Sequence, residues 1–223
     1  MTTELRVLLL DTETNGLPKN RFAPIAEPGN WPAVLQLSWA IYTVAGMTVQ
    51  KIDSRDIGLA LDPVIPWDTG AAKIHGLSEA EARRGTAPAK AFSELKEALQ
   101  SVHIVIAHNL LFDKPVIRAA AYAVGIRDIW PTSGIQEICT MKETQPILRL
   151  VSPYYGADSG KFKAPKLNEL YEWLYGHRYD ISGATLHSAR SDTHCLEQCM
   201  KGLLRRGVFI VEGTRIKCVD VSA

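Results

Sequence analysis

The sequence is poor in cysteine, in net charge and in long apolar runs, and each shortage excludes something. Four cysteines in 223 residues, at positions 139, 195, 199 and 218, are too few for a disulfide framework. Cys195 and Cys199 stand at helical spacing beside His194, but no second Cys/His cluster completes a zinc site. They read as reduced helix residues. Lys and Arg number 25 against 24 Asp and Glu, a formal charge of +1. Proteins that hold nucleic acid by neutralising many phosphates are usually more basic, so any polyanion is gripped locally, with metal ions as a source of positive charge. The only apolar run near the start, residues 7–10, is shorter than the roughly 7–15 residues of a signal-peptide core and ends at Asp11. No stretch approaches the roughly 20 apolar residues of a membrane span. The expectation is a cytoplasmic protein with no membrane partner.

What is present is ordinary globular composition, 46% hydrophobic, 22% charged and 8% aromatic. Residues 7–11 read as a short buried strand followed by a turn at Asn15-Gly16 and a Pro/Gly/Asn-rich loop over 15–33. Residues 34–44 alternate and are β-rich, and 49–57 return across Ala45-Gly46, so the first three strands form an antiparallel meander. Lys73-Ile74-His75-Gly76 falls in a polar stretch, after which Ser78 and Glu81 have the spacing of a capping box. Pro88 opens a helix over 89–102 with Phe92, Leu95, Ala98 and Leu99 on one face. A fourth strand at 103–107 precedes an Ala-rich helix over 110–124 that Gly125 stops. Residues 126–165 read as mostly irregular, with 152–165 a mobile loop. Helices over 167–175 and 189–206 end at Gly176 and Gly207, and 208–211 with 215–219 form a terminal hairpin. The expectation is one α/β domain over 1–207, a mixed sheet with helices packed on it, extended by a hairpin over 208–223.

Four carboxylates stand where the chain changes element. Asp11 and Glu13 leave the first strand on one side, about 6–7 Å apart at period two. Two like charges so close are destabilising unless solvated or bridged by a cation, and both readings stay open for the pair alone. Asp113 falls just after the fourth strand and Asp192 near the start of the last long helix. Each is equally at home as a first-turn acid favoured by the helix dipole. His187 precedes Asp192 by five positions. Strand ends and helix starts along one edge of an α/β sheet are where sites assemble, and hard oxygen donors there suit Mg²⁺ or Mn²⁺. Carboxylates holding two such ions serve phosphoryl transfer to water, with a neutral histidine able to accept a proton.

The ordered motifs resemble a known family, the RNase-H-like 3′–5′ exonucleases of the DEDDh type, which include polymerase proofreading subunits, RNase T and oligoribonuclease. Asp11-Thr12-Glu13-Thr14-Asn15-Gly16-Leu17 is similar to the first motif. His108-Asn109 with Phe112-Asp113 is similar to the second, and His187 with Asp192 to the third. Lys73-Ile74-His75-Gly76-Leu77-Ser78 resembles a further segment near the substrate's 3′ end, and Lys166-Leu167-Asn168-Glu169-Leu170 a helix leading towards the third motif. The matches run in order from residue 7 to about 204; loop 18–33, segment 142–165 and the terminal hairpin depart from the pattern.

The resemblance implies an RNase-H-like mixed five-stranded sheet and a 3′–5′ exonuclease releasing nucleoside 5′-monophosphates from DNA or RNA. It implies two Mg²⁺ or Mn²⁺ ions on Asp11, Glu13, Asp113 and Asp192, with His187 as general base. Thr14, Leu17, Asn109 and Phe112 would lie near the terminal nucleotide. His75 would either contact substrate or hydrogen-bond backbone as a loop histidine. The implied partners are single-stranded or frayed 3′ ends, and a DNA polymerase for a proofreading member. Two rivals stand beside it: a nuclease fold without activity, kept as a polymerase accessory, and a phosphatase using Asp11 as nucleophile.

Overall fold

The computed structural model of the protein describes residues 4–152, 154, 160–180 and 188–220. His187 and most of the central part of segment 152–165 lie outside the described residues.

Strand β1 (Leu5–Thr14) is the centre of the molecule. Its residues alternate between two apolar layers. Leu5, Val7 and Leu9 face one cluster, Leu8 and Leu10 the other, all at 0% exposure. Burying such a side chain fully stabilises the fold by about 1.5–3 kcal/mol, so this alternation fixes which face each later residue of β1 points to. β2 (Val34–Ala45) and β3 (Thr48–Gly58) follow antiparallel, with Asp11 opposite Ser38 and Ser38 opposite Asp56. β4 (Ile104–Ala107) and β5 (Gln136–Cys139) add in parallel, giving the order β3-β2-β1-β4-β5. The mixed five-stranded sheet with its first three strands antiparallel is as expected.

The helices divide between the two faces. α3 (Pro88–Gln100) and α4 (Leu110–Ala123) supply Phe92, Leu95, Val116 and Ile117 to the layer of Leu8 and Leu10. α6 (Leu167–Tyr175) and α7 (Ala189–Arg205) supply Leu170, Leu196, Cys199 and Leu203 to the layer of Leu5, Val7 and Leu9. α2 (Glu79–Arg83) carries the expected capping box, Ser78 with Glu81. All four cysteines are unpaired by disulfide, and Cys195 and Cys199 are buried in α7.

The hairpin of β6 (Phe209–Glu212) and β7 (Arg215–Cys218) is present and buries Phe209 and Ile216 in the same layer as α7. Gln136 ties it to the sheet, its side chain exchanging hydrogen bonds with the Ile216 main chain at 2.6 and 2.9 Å.

The structure adds elements to those expected. Most of the described residues of 126–165 lie outside regular elements, but the stretch contains β5 and α5 (Thr140–Leu148). β5 has only four residues, two of them polar, and takes its identity from pairing with β4. α5 starts without a side-chain cap and carries Pro146 inside it, so it lacks both ordinary signals of a helix. The polar stretch before Gly76 is also helical, as α1 (Thr69–His75), its first N–H groups capped by the Asp68 carboxylate. No helix among the described residues is long and apolar enough to cross a membrane.

Candidate active site

Past Leu9 the inward row of β1 continues as Asp11 and Glu13, so the strand's periodicity delivers two carboxylates to the α7 side of the sheet where the apolar layer ends. The start of α7 docks there. Gln36, opposite Glu13 in the register, accepts the Ala189 N–H at 3.2 Å, and the Ser188 hydroxyl caps the helix by accepting from Ser191 N–H at 3.2 Å. Asp192 in the first turn is thereby brought to the strand. Asp11, Glu13 and Asp192 each offer an oxygen within 4.8 Å of the others.

Asp113 comes from the other side of the sheet. It is 3% exposed in the first turn of α4, and the Thr12 hydroxyl donates to its Oδ1 at 2.8 Å. It stands apart from the close set of three but near enough to act on it electrically. Burial, then Asp113, Asp192 and Glu13, push Asp11 well above the ordinary carboxylate range. Burial, then Asp192 and Asp113, push Glu13 up to about 8. Burial pushes Asp113 up to about 7 against the hydrogen bonds from Thr12. Among the described residues, the neighbouring charges that act on Asp11 and Glu13 are carboxylates. A cluster of this kind is destabilised by its own charge and is relieved by a cation or by protons.

The remaining residues singled out in the sequence are distributed around this edge. Thr14 is buried and donates to the Gly16 carbonyl at 2.7 Å, while Leu17 is 79% exposed on the loop beyond. Asn109 adopts a left-handed φ of 80° at the start of α4, a conformation asparagine tolerates better than most residues. Phe112, one turn on, is half-buried against the α3–α4 layer. His108 bridges Thr140 Oγ1 and the Pro165 carbonyl, both at 2.9 Å, which braces the end of β4 against α5; its burial pushes its pKa down to about 4. His75 is 1% exposed in the last turn of α1, and its Nδ1 accepts from the Leu77 N–H at 3.1 Å. His187 precedes the Ser188 cap in sequence and lies outside the described residues.

Thr12 was not among the expected site residues. Its signal is its place between two acids on β1, which turns it to the opposite face, towards α4.

With this geometry in view, comparison with known proteins adds a fold. No family model and no curated protein matches the sequence. Solved structures do. Escherichia coli exonuclease I bound to a dT13 oligonucleotide is similar with a TM-score of 0.63 and 18% identity over 89% of this chain. The zinc-bound E. coli exonuclease I–ssDNA complex gives 0.63 and 17% over 91%. A moderately thermophilic exonuclease I from Methylocaldum szegediense gives 0.61 and 19% over 91%. The chain spans 41% of the length of each of these structures. The protein therefore has the RNase-H-like exonuclease fold. The particular likeness is to exonuclease I, the bacterial enzyme crystallised with single-stranded DNA.

Proposed function

We propose that the protein is a metal-dependent 3′–5′ exonuclease, hydrolysing the terminal phosphodiester of a nucleic-acid strand to release nucleoside 5′-monophosphates. One observation carries the reading: three carboxylates share a space of 4.8 Å at a sheet edge and, with a fourth beside them, hold one another's charge in check. The all-oxygen donor set fits a hard divalent cation, Mg²⁺ or Mn²⁺. In this reading Asp11, Glu13, Asp113 and Asp192 hold two such ions, and Thr12 orients Asp113 through its hydroxyl. When bound, such ions supply an acidified water and neutralise charge on the phosphate and leaving oxygen.

The chain's own residues do the rest. His187, next to the Ser188 cap of α7, takes the proton from the attacking water. Thr14, Leu17, Asn109 and Phe112 approach the terminal nucleotide, with Leu17 as an exposed apolar platform for a base and His75 holding the turn after α1 through the Leu77 N–H. Residues 1–207 form the catalytic domain and 208–223 its extension. The structural likeness to exonuclease I–DNA complexes supports the reading, as does the order of motifs along the chain.

The test is digestion of 5′-labelled single-stranded DNA, duplex DNA with a mismatched 3′ end, and RNA, each with Mg²⁺ or Mn²⁺. Stepwise shortening from the 3′ end is expected, with resistance of a 3′-phosphorylated strand and of a closed circle. Rapid cleavage of the circle, or no metal-dependent hydrolysis of any strand, overturns the proposal. The second outcome would restore the inactive module attached to a polymerase.

A further inference from the structure

Beside the acidic cluster, on the β2–β3 side, lies a polar cavity of about 620 Å³. It shares a wall with the cluster. Ser38, opposite Asp11 in the register, and Ser191, adjacent to Asp192, both line it. Its other walls carry Lys51, Arg190 and His194 as basic groups, with Asp56 and the ring of Tyr179.

Arg190 is 81% exposed by side chain, two residues before Asp192 in the first turn of α7. Its Nε lies 3.5 Å from Asp56 Oδ2, and Asp56 is itself held by the Ser38 hydroxyl at 2.6 Å. One edge of the guanidinium is thus oriented and the rest faces the cavity and solvent, which suits a phosphate oxygen. Tyr179 is braced from two sides. Its hydroxyl lies 2.5 Å from His194 Nδ1, and Tyr171 meets its ring edge-on at 5.0 Å. Lys51, partly engaged with Glu197 at 3.1 Å, adds a second cation.

Cations and a fixed aromatic ring lining one polar groove are the recognition chemistry of single-stranded nucleic acid: phosphates on the cations, a base on the ring. The sheet order puts this groove opposite the terminal-nucleotide residues. Asn109 and Phe112 belong to the β4–α4 side of β1, and the groove to the β2–β3 side. We infer that the Arg190–Tyr179 groove holds the body of the single strand upstream of the scissile bond, so that the strand crosses the end of β1 from the β3 side. The inference rests on the exonuclease reading and adds where the strand runs.

Fluorescence anisotropy of a 5′-labelled, 3′-phosphorylated 12-mer, read against salt concentration, tests it without turnover. For Arg190→Ala the slope of log affinity against log salt is expected to fall by about 0.7, one single-strand phosphate contact. Asp56→Asn, which removes a negative charge from the wall, is expected to tighten binding. Tyr179→Leu is expected to weaken it by about fivefold or more, the loss of one stacked base. Digestion supplies the second readout: Arg190→Ala is expected to lower the ratio of kcat/KM for a 12-mer to that for a dinucleotide. Unchanged affinity and slope in both charge variants, or an unchanged ratio, overturns the groove even when the wild type digests strands normally. If the wild type digests nothing yet the charge variants move affinity in opposite directions, the groove stands and the exonuclease reading falls.

Discussion

Glu197 on α7 and Glu13 at the end of β1 lie on the same side of the sheet, yet their surroundings drive them in opposite directions. Glu197 is 5% exposed and fully served: the Tyr42 hydroxyl donates to it at 2.7 Å, Lys201 at 2.6 Å, and Lys51 lies 3.1 Å away. Burial opposes its charge, but the bonds from Lys201, Tyr42 and Lys51 win and pull its pKa down to about 2. Glu13 meets other carboxylates and is pushed up to about 8. A structural carboxylate is folded together with its own cations. Among the described residues the charges acting on Asp11 and Glu13 are other carboxylates, a repulsion that a bound cation would relieve. That contrast separates an ion pair that holds α7 to the sheet from a site that holds something else.

The largest expected effect breaks the second half of the contrast. Asp11→Asn removes one negative charge with little change of shape and is expected to lower hydrolysis by about 10³-fold or more, the upper range for removing one electrostatic group from a catalytic site. Circular dichroism should show the fold intact; turnover within about tenfold of wild type contradicts the assignment. Thr12→Val leaves Asp113 buried but without its hydroxyl donor. Mn²⁺ affinity is expected to weaken by about 10- to 100-fold, the usual consequence of losing a ligand's hydrogen-bond partner, as read by titration calorimetry.

Glu197→Ala breaks the first half. Its lysine partners are partly exposed and relax into water, so the cost is about 3 kcal/mol, the lower end for breaking a buried pair. In a protein of this size that lowers Tm by roughly 6–12 °C. The variant should bind Mn²⁺ with wild-type affinity at temperatures where it is folded.

The smallest effect is a pH dependence with two signs. Glu13 and Asp113 have folded pKa values above their ordinary ones, near 8 and 7, so the metal-free folded state retains protons that the unfolded chain gives up. Their contribution therefore weakens as pH rises from about 4 to 8. Glu197 behaves oppositely: its contribution is complete above pH 4.5 and is lost as pH falls towards 2. Urea denaturation should show stability declining between pH 5 and 8 without metal and a flatter profile with Mn²⁺. A profile that Mn²⁺ leaves untouched counts against the cluster as a cation site.

Much of this was legible in the sequence wherever a local signal and the global fold agree. The alternation of residues 34–44 announced β2, and Gly176 and Gly207 marked the ends of α6 and α7. The spacing of Asp11 and Glu13 placed both on one side of β1. Elements defined by tertiary pairing were not legible: β5 exists because β4 offers it an edge, and α5 because the end of β5 leads into it despite Pro146. Within the site, the Thr12 bond to Asp113 joins residues 101 positions apart and depends on α4 reaching the far face of β1. The Ser38–Asp56–Arg190 chain likewise depends on the register of two strands and the docking of a helix, which no short motif encodes.

The proposed function requires the Asp11 cluster to be a site for divalent metal. Titration calorimetry with Mn²⁺ at pH 7, run in two buffers of different ionisation enthalpy, tests it directly. Saturable binding is expected, with release of protons from Glu13 and Asp113, and both the binding and the release should collapse in Asp11→Asn. No saturable heat in the wild type, or binding that survives intact in Asp11→Asn, contradicts it.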